Sequence, residues 1–120
     1  MILADTSVWV SHLRKGDTTL STLLEEGEVV CHPFIVGELA CGNIKNRGEI
    51  LKLLQALPML PVITADEFLQ FIDSHKLMGL GIGYIDVHLL ASSRLAGVLL
   101  WTEDKNLRHA ADKLKLRYIH

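Results

Sequence analysis

Apolar positions along the chain alternate between short continuous runs and longer stretches at helical spacing. Ile2-Leu3-Ala4 is a brief buried-type run ending at Asp5, and Thr6 and Ser7 then suit a helix start. Val8, Trp9, Val10 and Leu13 give that helix an apolar side, and Arg14-Lys15-Gly16 closes it. Leu20, Leu23 and Leu24 recur at helical spacing up to Gly27. Val29-Val30-Cys31 reads as a strand, and Pro33 suits the first turn of a helix that contains Glu38 and ends near Gly42. Ile50, Leu53, Leu54 and Leu57 form a further amphipathic helix stopped by Pro58.

Leu60-Pro61-Val62-Ile63 fits only a short strand, at an edge because of its proline. Thr64 and Glu67 have capping-box spacing ahead of a helix carrying Phe68, Phe71 and Ile72. Gly79, Gly81 and Gly83 form a loose connector and hinge, and Asp86 falls early in the helix that runs on to Gly97. Val98-Leu99-Leu100-Trp101 is strongly strand-like. Thr102-Glu103-Asp104 leads into a helix through Leu107, Ala110, Ala111 and Leu114, and Arg117-Tyr118-Ile119 reads as a terminal strand. Continuous apolar strands alternating with longer helices predict an α/β fold whose sheet, of about four to five mainly parallel strands, is covered on both faces. No internal repeat or linker divides the chain, so residues 1–120 read as a single domain.

In such a sheet, ligands gather beyond the carboxyl ends of the strands, where strand order reverses. Asp5 and Asp104 stand at or just past two such ends, and Glu38 lies about six residues past a third. With Asp86 they make four acids that only a parallel fold brings together. Carboxylates in close contact cannot all stay ionised without a cation. Oxygen-only donors suit Mg²⁺ or Mn²⁺, as one ion or two, which would activate a water toward phosphorus. Taken singly, Asp5 and Asp104 also read as helix caps. Glu38 and Asp86 sit among apolar neighbours, where a lone carboxylate costs several kcal/mol and needs a partner, an Arg or Lys if not a metal. Thr6, Ser7 and Thr102 could hold a water or a phosphate oxygen, and Thr102 could orient Asp104. Glu103 reads either as an outer ligand or as a solvated acid of a helix's first turn.

Composition narrows the setting. No apolar run approaches the ~20 residues of a membrane span, and Asp5 interrupts the first apolar stretch, against a secretory signal. A cytoplasmic protein with no membrane contact follows. Cys31 and Cys41 match no zinc or redox spacing and read as reduced, structural thiols. No two of the six histidines flank a Glu in a helical metal motif; His12, His75, His109 and His120 lie in polar stretches as solvated residues. His88, two residues after Asp86, points away from it. The net charge is −2, but setting the four acids aside leaves ten acids against twelve bases, so the remaining surface permits phosphate contact. Gly79-x-Gly81-x-Gly83 follows a helix rather than a strand, unlike a dinucleotide fingerprint.

Four segments then carry a resemblance: Ala4-Asp5-Thr6-Ser7-Val8-Trp9-Val10, Gly37-Glu38-Leu39, Ile85-Asp86-Val87-His88-Leu89-Leu90-Ala91 and Thr102-Glu103-Asp104-Lys105-Asn106-Leu107. In order and separation they resemble the PIN-domain nucleases, above all the VapC-like toxins of prokaryotic toxin–antitoxin modules. The resemblance implies a three-layer α/β/α PIN-like fold and a metal-dependent endoribonuclease. It places the acidic quartet on Asp5, Glu38, Asp86 and Asp104, with Thr102 as the accessory hydroxyl. It also implies a structured RNA substrate such as tRNA or rRNA, a VapB-like antitoxin over the acidic cleft, and a homodimer. Val87 where many members have alanine, and the extra acid Glu103, remove no ligand.

Arg14, Lys15, Lys45 and Arg47 follow the Asp5 and Glu38 regions and could guide an RNA backbone, or be ordinary surface charge. A housekeeping RNA-processing nuclease of the same fold is an alternative. So is a receiver-like Mg²⁺-binding signalling domain, but that architecture wants paired acids after the first strand and a lysine after a late one. Here Asp5 stands alone and Trp101 leads to Thr102.

Overall fold

The computed structural model describes residues 1–119, so His120, expected to be solvated, lies outside the described residues. Strand β1 (Ile2–Ala4) leads into helices α1 (Thr6–Lys15) and α2 (Thr18–Glu25), and strand β2 (Val29–Val30) follows. Helices α3 (Pro33–Cys41), α4 (Arg47–Ala56), α5 (Ala65–His75) and α6 (Tyr84–Ala96) come next, then strand β3 (Leu99–Trp101) and helix α7 (Lys105–Lys113). Helices begin where a side chain can satisfy a free N–H. Asp5, Asp17 and Asp104 cap α1, α2 and α7, while Thr64 and Glu67 complete a reciprocal capping box on α5. The cap of α1 is therefore Asp5, not Thr6 or Ser7, which form its first turn.

β1 is central: it pairs in parallel with β2 on one side and β3 on the other, in the order β2-β1-β3. The chain thus leaves β1 toward one side and later returns on the other, which puts a strand-order reversal at the carboxyl end of β1. All three residues of β1 are buried. Successive strand residues face opposite ways, so both faces of the sheet are covered. Helix α1 packs on β1 and α6 on β3.

The sheet has three strands rather than the expected four to five. The two missing strands shrink to single parallel bridges, Cys31 with Met59 and Leu100 with Arg117. On the first edge, Cys31 donates to the Pro58 carbonyl and Leu60 donates to that of Cys31. Pro61 then has no N–H to continue the ladder, and its carbonyl accepts from Ser92 Oγ at 2.7 Å. On the other edge, Leu100 N bonds Leu116 and Tyr118 N bonds Leu100, immediately after Lys115 at φ +59°.

His32, whose role sequence analysis left unassigned, organises the start of α3. Its Nδ1 accepts from Phe34 N at 3.0 Å, and its Nε2 lies 3.2 Å from Ser92 Oγ. Since the Ser92 hydroxyl donates to Pro61, Nε2 carries the proton and the ring is neutral. Burial, then the neighbouring His88, lowers its pKa to about 4. The native state therefore binds this proton less tightly than the unfolded chain. The contribution of neutral His32 is complete above pH 6.5 and is lost as pH falls toward about 4. The stability advantage of the parent over His32→Asn should shrink across that window in urea titrations; a pH-independent difference would exclude His32 as its source.

Two other expectations change. His12 is not simply solvated, because its Nδ1 accepts from Asp17 N at 2.9 Å and its ring stands edge-on to Trp9. Cys31 and Cys41 are both free thiols, but only Cys31 is buried, so Cys41 is no packing residue. Among the described residues no helix is long and apolar enough to cross a membrane.

Candidate active site

Asp5 is only 6% exposed, at the point where β1 passes into α1. Its N–H donates to the Trp101 carbonyl at 3.0 Å, which sets it level with the end of β3. Oδ1 accepts from Ser7 Oγ at 2.5 Å and from Val8 N at 3.2 Å, and Oδ2 accepts from Thr102 Oγ1 at 2.5 Å. Each hydroxyl is in turn fixed by the β3–α7 loop, for Glu103 N donates to Ser7 Oγ and Asp104 N to Thr102 Oγ1. Two hydroxyls, one from each of two adjacent strand ends, thus grip one carboxylate. Ser7 and Thr102 are spent on Asp5 rather than free for a phosphate. Thr102 reaches Asp104 only through that residue's N–H.

The other three acids surround this centre at greater exposure. Asp104 is exposed and uses Oδ2 to cap α7 through Leu107 N at 2.8 Å. Asp86 is half-buried on the first turn of α6, where Oδ2 accepts from Gly83 N at 3.1 Å. Glu38, expected among apolar groups, is instead exposed on α3, and Oε1 accepts from Thr6 Oγ1 at 2.7 Å. No Arg or Lys pairs with any of the four among the described residues, which removes the salt-bridge alternative. Glu103 is exposed and bound by Ser11 Oγ at 3.0 Å.

Electrostatics tie the set together. Burial raises the pKa of Asp5 despite its three donors, and the charge of Asp86 adds to the rise. Burial also raises that of Asp86, and the like charges of Asp104 and Glu38 push the same way, against the Gly83 hydrogen bond. The four acids therefore share one negative field. They do not form one ligand shell: among the described residues no three His, Cys, Asp or Glu side chains stand arranged to hold a metal ion. Asp86, Asp104 and Glu38 each turn one oxygen to a protein donor, whereas both oxygens of Asp5 are engaged. Among the described residues, Asp86 Oδ1, Asp104 Oδ1 and Glu38 Oε2 accept no protein hydrogen bond. The donor chemistry, hard oxygens in excess negative charge, fits a divalent cation.

The glycine connector is less loose than expected. Asn106 Nδ2 donates to the Gly81 carbonyl at 3.2 Å, tying the first turn of α7 to the segment before Asp86. Gly81 has φ +74°, and a Cβ there would sit 2.6 Å from Asn106 Nδ2; Gly79, at φ +73°, has open space. We expect Gly79→Ala to cost about 1–2 kcal/mol of strain alone. Gly81→Ala should cost more in urea denaturation because Asn106 must also move. Equal costs would show that the tie to Asn106 is idle. Of the basic residues, Arg14, Lys15 and Lys45 are exposed, whereas Arg47 donates twice to the Ala40 carbonyl at the end of α3.

The chain matches the family of the PIN domain over residues 2–113. It is 48% identical over 111 residues to Ribonuclease VapC32 of Mycobacterium tuberculosis, equally in the CDC 1551 / Oshkosh and ATCC 25618 / H37Rv strains. That alignment covers 92% of this chain and 90% of the relative. The crystal structure of PAE2754 from Pyrobaculum aerophilum superposes with a TM-score of 0.61 over 91% of this chain and 78% of that one. At 16% identity the second likeness is one of fold.

Proposed function

Because the chain belongs to the PIN-domain family, and within it resembles the VapC-like ribonucleases, we propose that it is a metal-dependent endoribonuclease and the toxin of a toxin–antitoxin module. The observation that carries this reading is the buried Asp5 carboxylate, gripped by Ser7 and Thr102 at the strand-order reversal and facing the field of Asp86. Asp5, Glu38, Asp86 and Asp104 would hold Mg²⁺ or Mn²⁺. Bound there, such a cation supplies an activated water and charge for the leaving oxygen of a phosphodiester. Thr102 and Ser7 orient Asp5 and favour its anion against its burial, and Gly83 N–H does the same for Asp86. The proposed substrate is a structured RNA, tRNA or rRNA. The proposed partners are a VapB-like antitoxin over the acidic cleft and a second copy of this chain, and the proposed setting is the cytoplasm.

Incubating the purified protein with structured RNA in Mg²⁺ or Mn²⁺ should give cleavage that a chelator stops and fresh metal restores. Undiminished cleavage in chelator would sink the metal dependence, and no cleavage of any tRNA or rRNA would sink the ribonuclease reading. Arg14, Lys15, Lys45 and Arg47 form the proposed basic rim. Reversing the charge of the three uncommitted residues, Arg14, Lys15 and Lys45, should weaken cleavage and flatten its salt dependence. If both stay as in the parent, the rim is ordinary surface.

A further inference from the structure

A cavity of about 380 Å³ opens beside the acidic centre, lined by Thr102, Glu103, Arg108, Arg117 and Tyr118 among others. Thr102 belongs to both places, since its hydroxyl grips Asp5 while the residue forms part of the cavity wall. Arg108 lies four residues after Asp104 on α7, so it shares the helix face of the cap one turn further on. Its Nη2 donates to the Glu103 carbonyl at 3.3 Å, which holds the guanidinium against the loop between Thr102 and Asp104. Arg117 enters from the C-terminal edge of the sheet and meets Asp112 through Nη1 at 3.1 Å. That exposed pair is weakly held in water. The other guanidinium donors of both arginines have no partner among the described residues. Among the described residues the one acid in the wall, Glu103, is engaged by Ser11 Oγ from α1.

Resting on the ribonuclease reading above, we propose that this cavity is a subsite for a backbone phosphate of the RNA flanking the scissile bond, held by Arg108 and Arg117. Two guanidinium groups with free, planar donors in one recess match phosphate oxygens in a way that scattered lysines do not. The subsite adjoins the acids through Thr102 and Glu103, so a phosphate seated there fixes which neighbouring bond lies over Asp5. It supplies positive charge where the acidic centre would otherwise repel the strand.

The test is binding of a fluorescent single-stranded RNA, read by anisotropy over a range of KCl, together with steady-state cleavage in Mg²⁺. Parent protein is compared with Arg108→Gln, Arg117→Gln, the double variant, and Lys52→Gln, which removes one charge from the exposed face of α4. The double variant should bind about tenfold or more weakly, with the slope of log affinity against log salt reduced by about one for each phosphate that is no longer neutralised. KM should rise more than kcat falls. Variants no weaker than Lys52→Gln would overturn the subsite while leaving the nuclease reading intact. A parent that neither binds nor cuts RNA would overturn the function reading and the subsite with it.

Discussion

Asp5→Asn should abolish the proposed metal-dependent cleavage, by on the order of 10²-fold or more, while leaving the metal-free protein at least as stable as the parent. Both halves of this expectation come from the same geometry. The amide keeps the shape of the carboxylate, so its carbonyl oxygen can still accept from Ser7 Oγ and Val8 N, while its NH₂ donates to Thr102 Oγ1. What disappears is the charge. In the folded, metal-free protein the Asp5 pKa lies above its ordinary 3.8 because burial disfavours the anion and Asp86 repels it. The native state thus holds this proton more tightly than the unfolded chain. Stability is favoured below pH 3.8 and declines as pH rises through the raised native value. The Asp5→Asn substitution would remove that decline. Thermal melts in chelator should show it, and added Mg²⁺ should raise the melting temperature of the parent alone, since a ligand stabilises only a state that binds it. Unchanged cleavage by the variant, or a loss of several kcal/mol in chelator, would mean that Asp5 serves the fold rather than a cation.

The sequence and the structure disagree over Glu38 and Asp5, while Asp86 and Asp104 keep their expected order, and the reason is physical. Apolar neighbours on either side of Glu38 suggested burial, but a helix buries a stripe, not a segment. Ile35 and Leu39 occupy that stripe on α3, and Glu38 falls outside it. Asp5 looked like a mere cap because its local window shows nothing more. Its burial comes from pairing with Trp101 and from Thr102, about a hundred residues away, which no local spacing reports. The same holds for His32 and Ser92, joined across sixty positions. By contrast the helices, the caps at Asp104 and Thr64, and the central strands were legible because caps and apolar periodicity are local signals. The edge strand expected at Leu60 failed where Pro61 withdrew a donor. The family resemblance, now borne out, rests on the order of four short motifs, which survives whatever their exposure.

Thr102→Val should both destabilise the protein and suppress cleavage, whereas Thr102→Ser should retain most of each. Valine replaces the hydroxyl with a methyl of similar size, so the packing against its neighbours changes little. Two polar groups lose their partner at once: Asp5 Oδ2, whose donor stands at 2.5 Å, and Asp104 N, whose acceptor stands at 3.0 Å. An orphaned buried partner costs about 1–3 kcal/mol, with the upper end expected where the acceptor is charged. The hydroxyl is also one of the groups holding the Asp5 pKa down against burial. Without it the carboxyl is harder to ionise at a given pH, so the acid limb of the kcat/KM profile should move to higher pH. A role confined to packing would leave valine near parental stability with that limb unmoved, and serine, having lost the methyl, would be the more damaged of the two. Restoration by serine with the limb back in place would assign the effect to the hydroxyl. A Thr102→Val protein with parental stability and an unshifted pH profile would show instead that Ser7 alone suffices to hold Asp5.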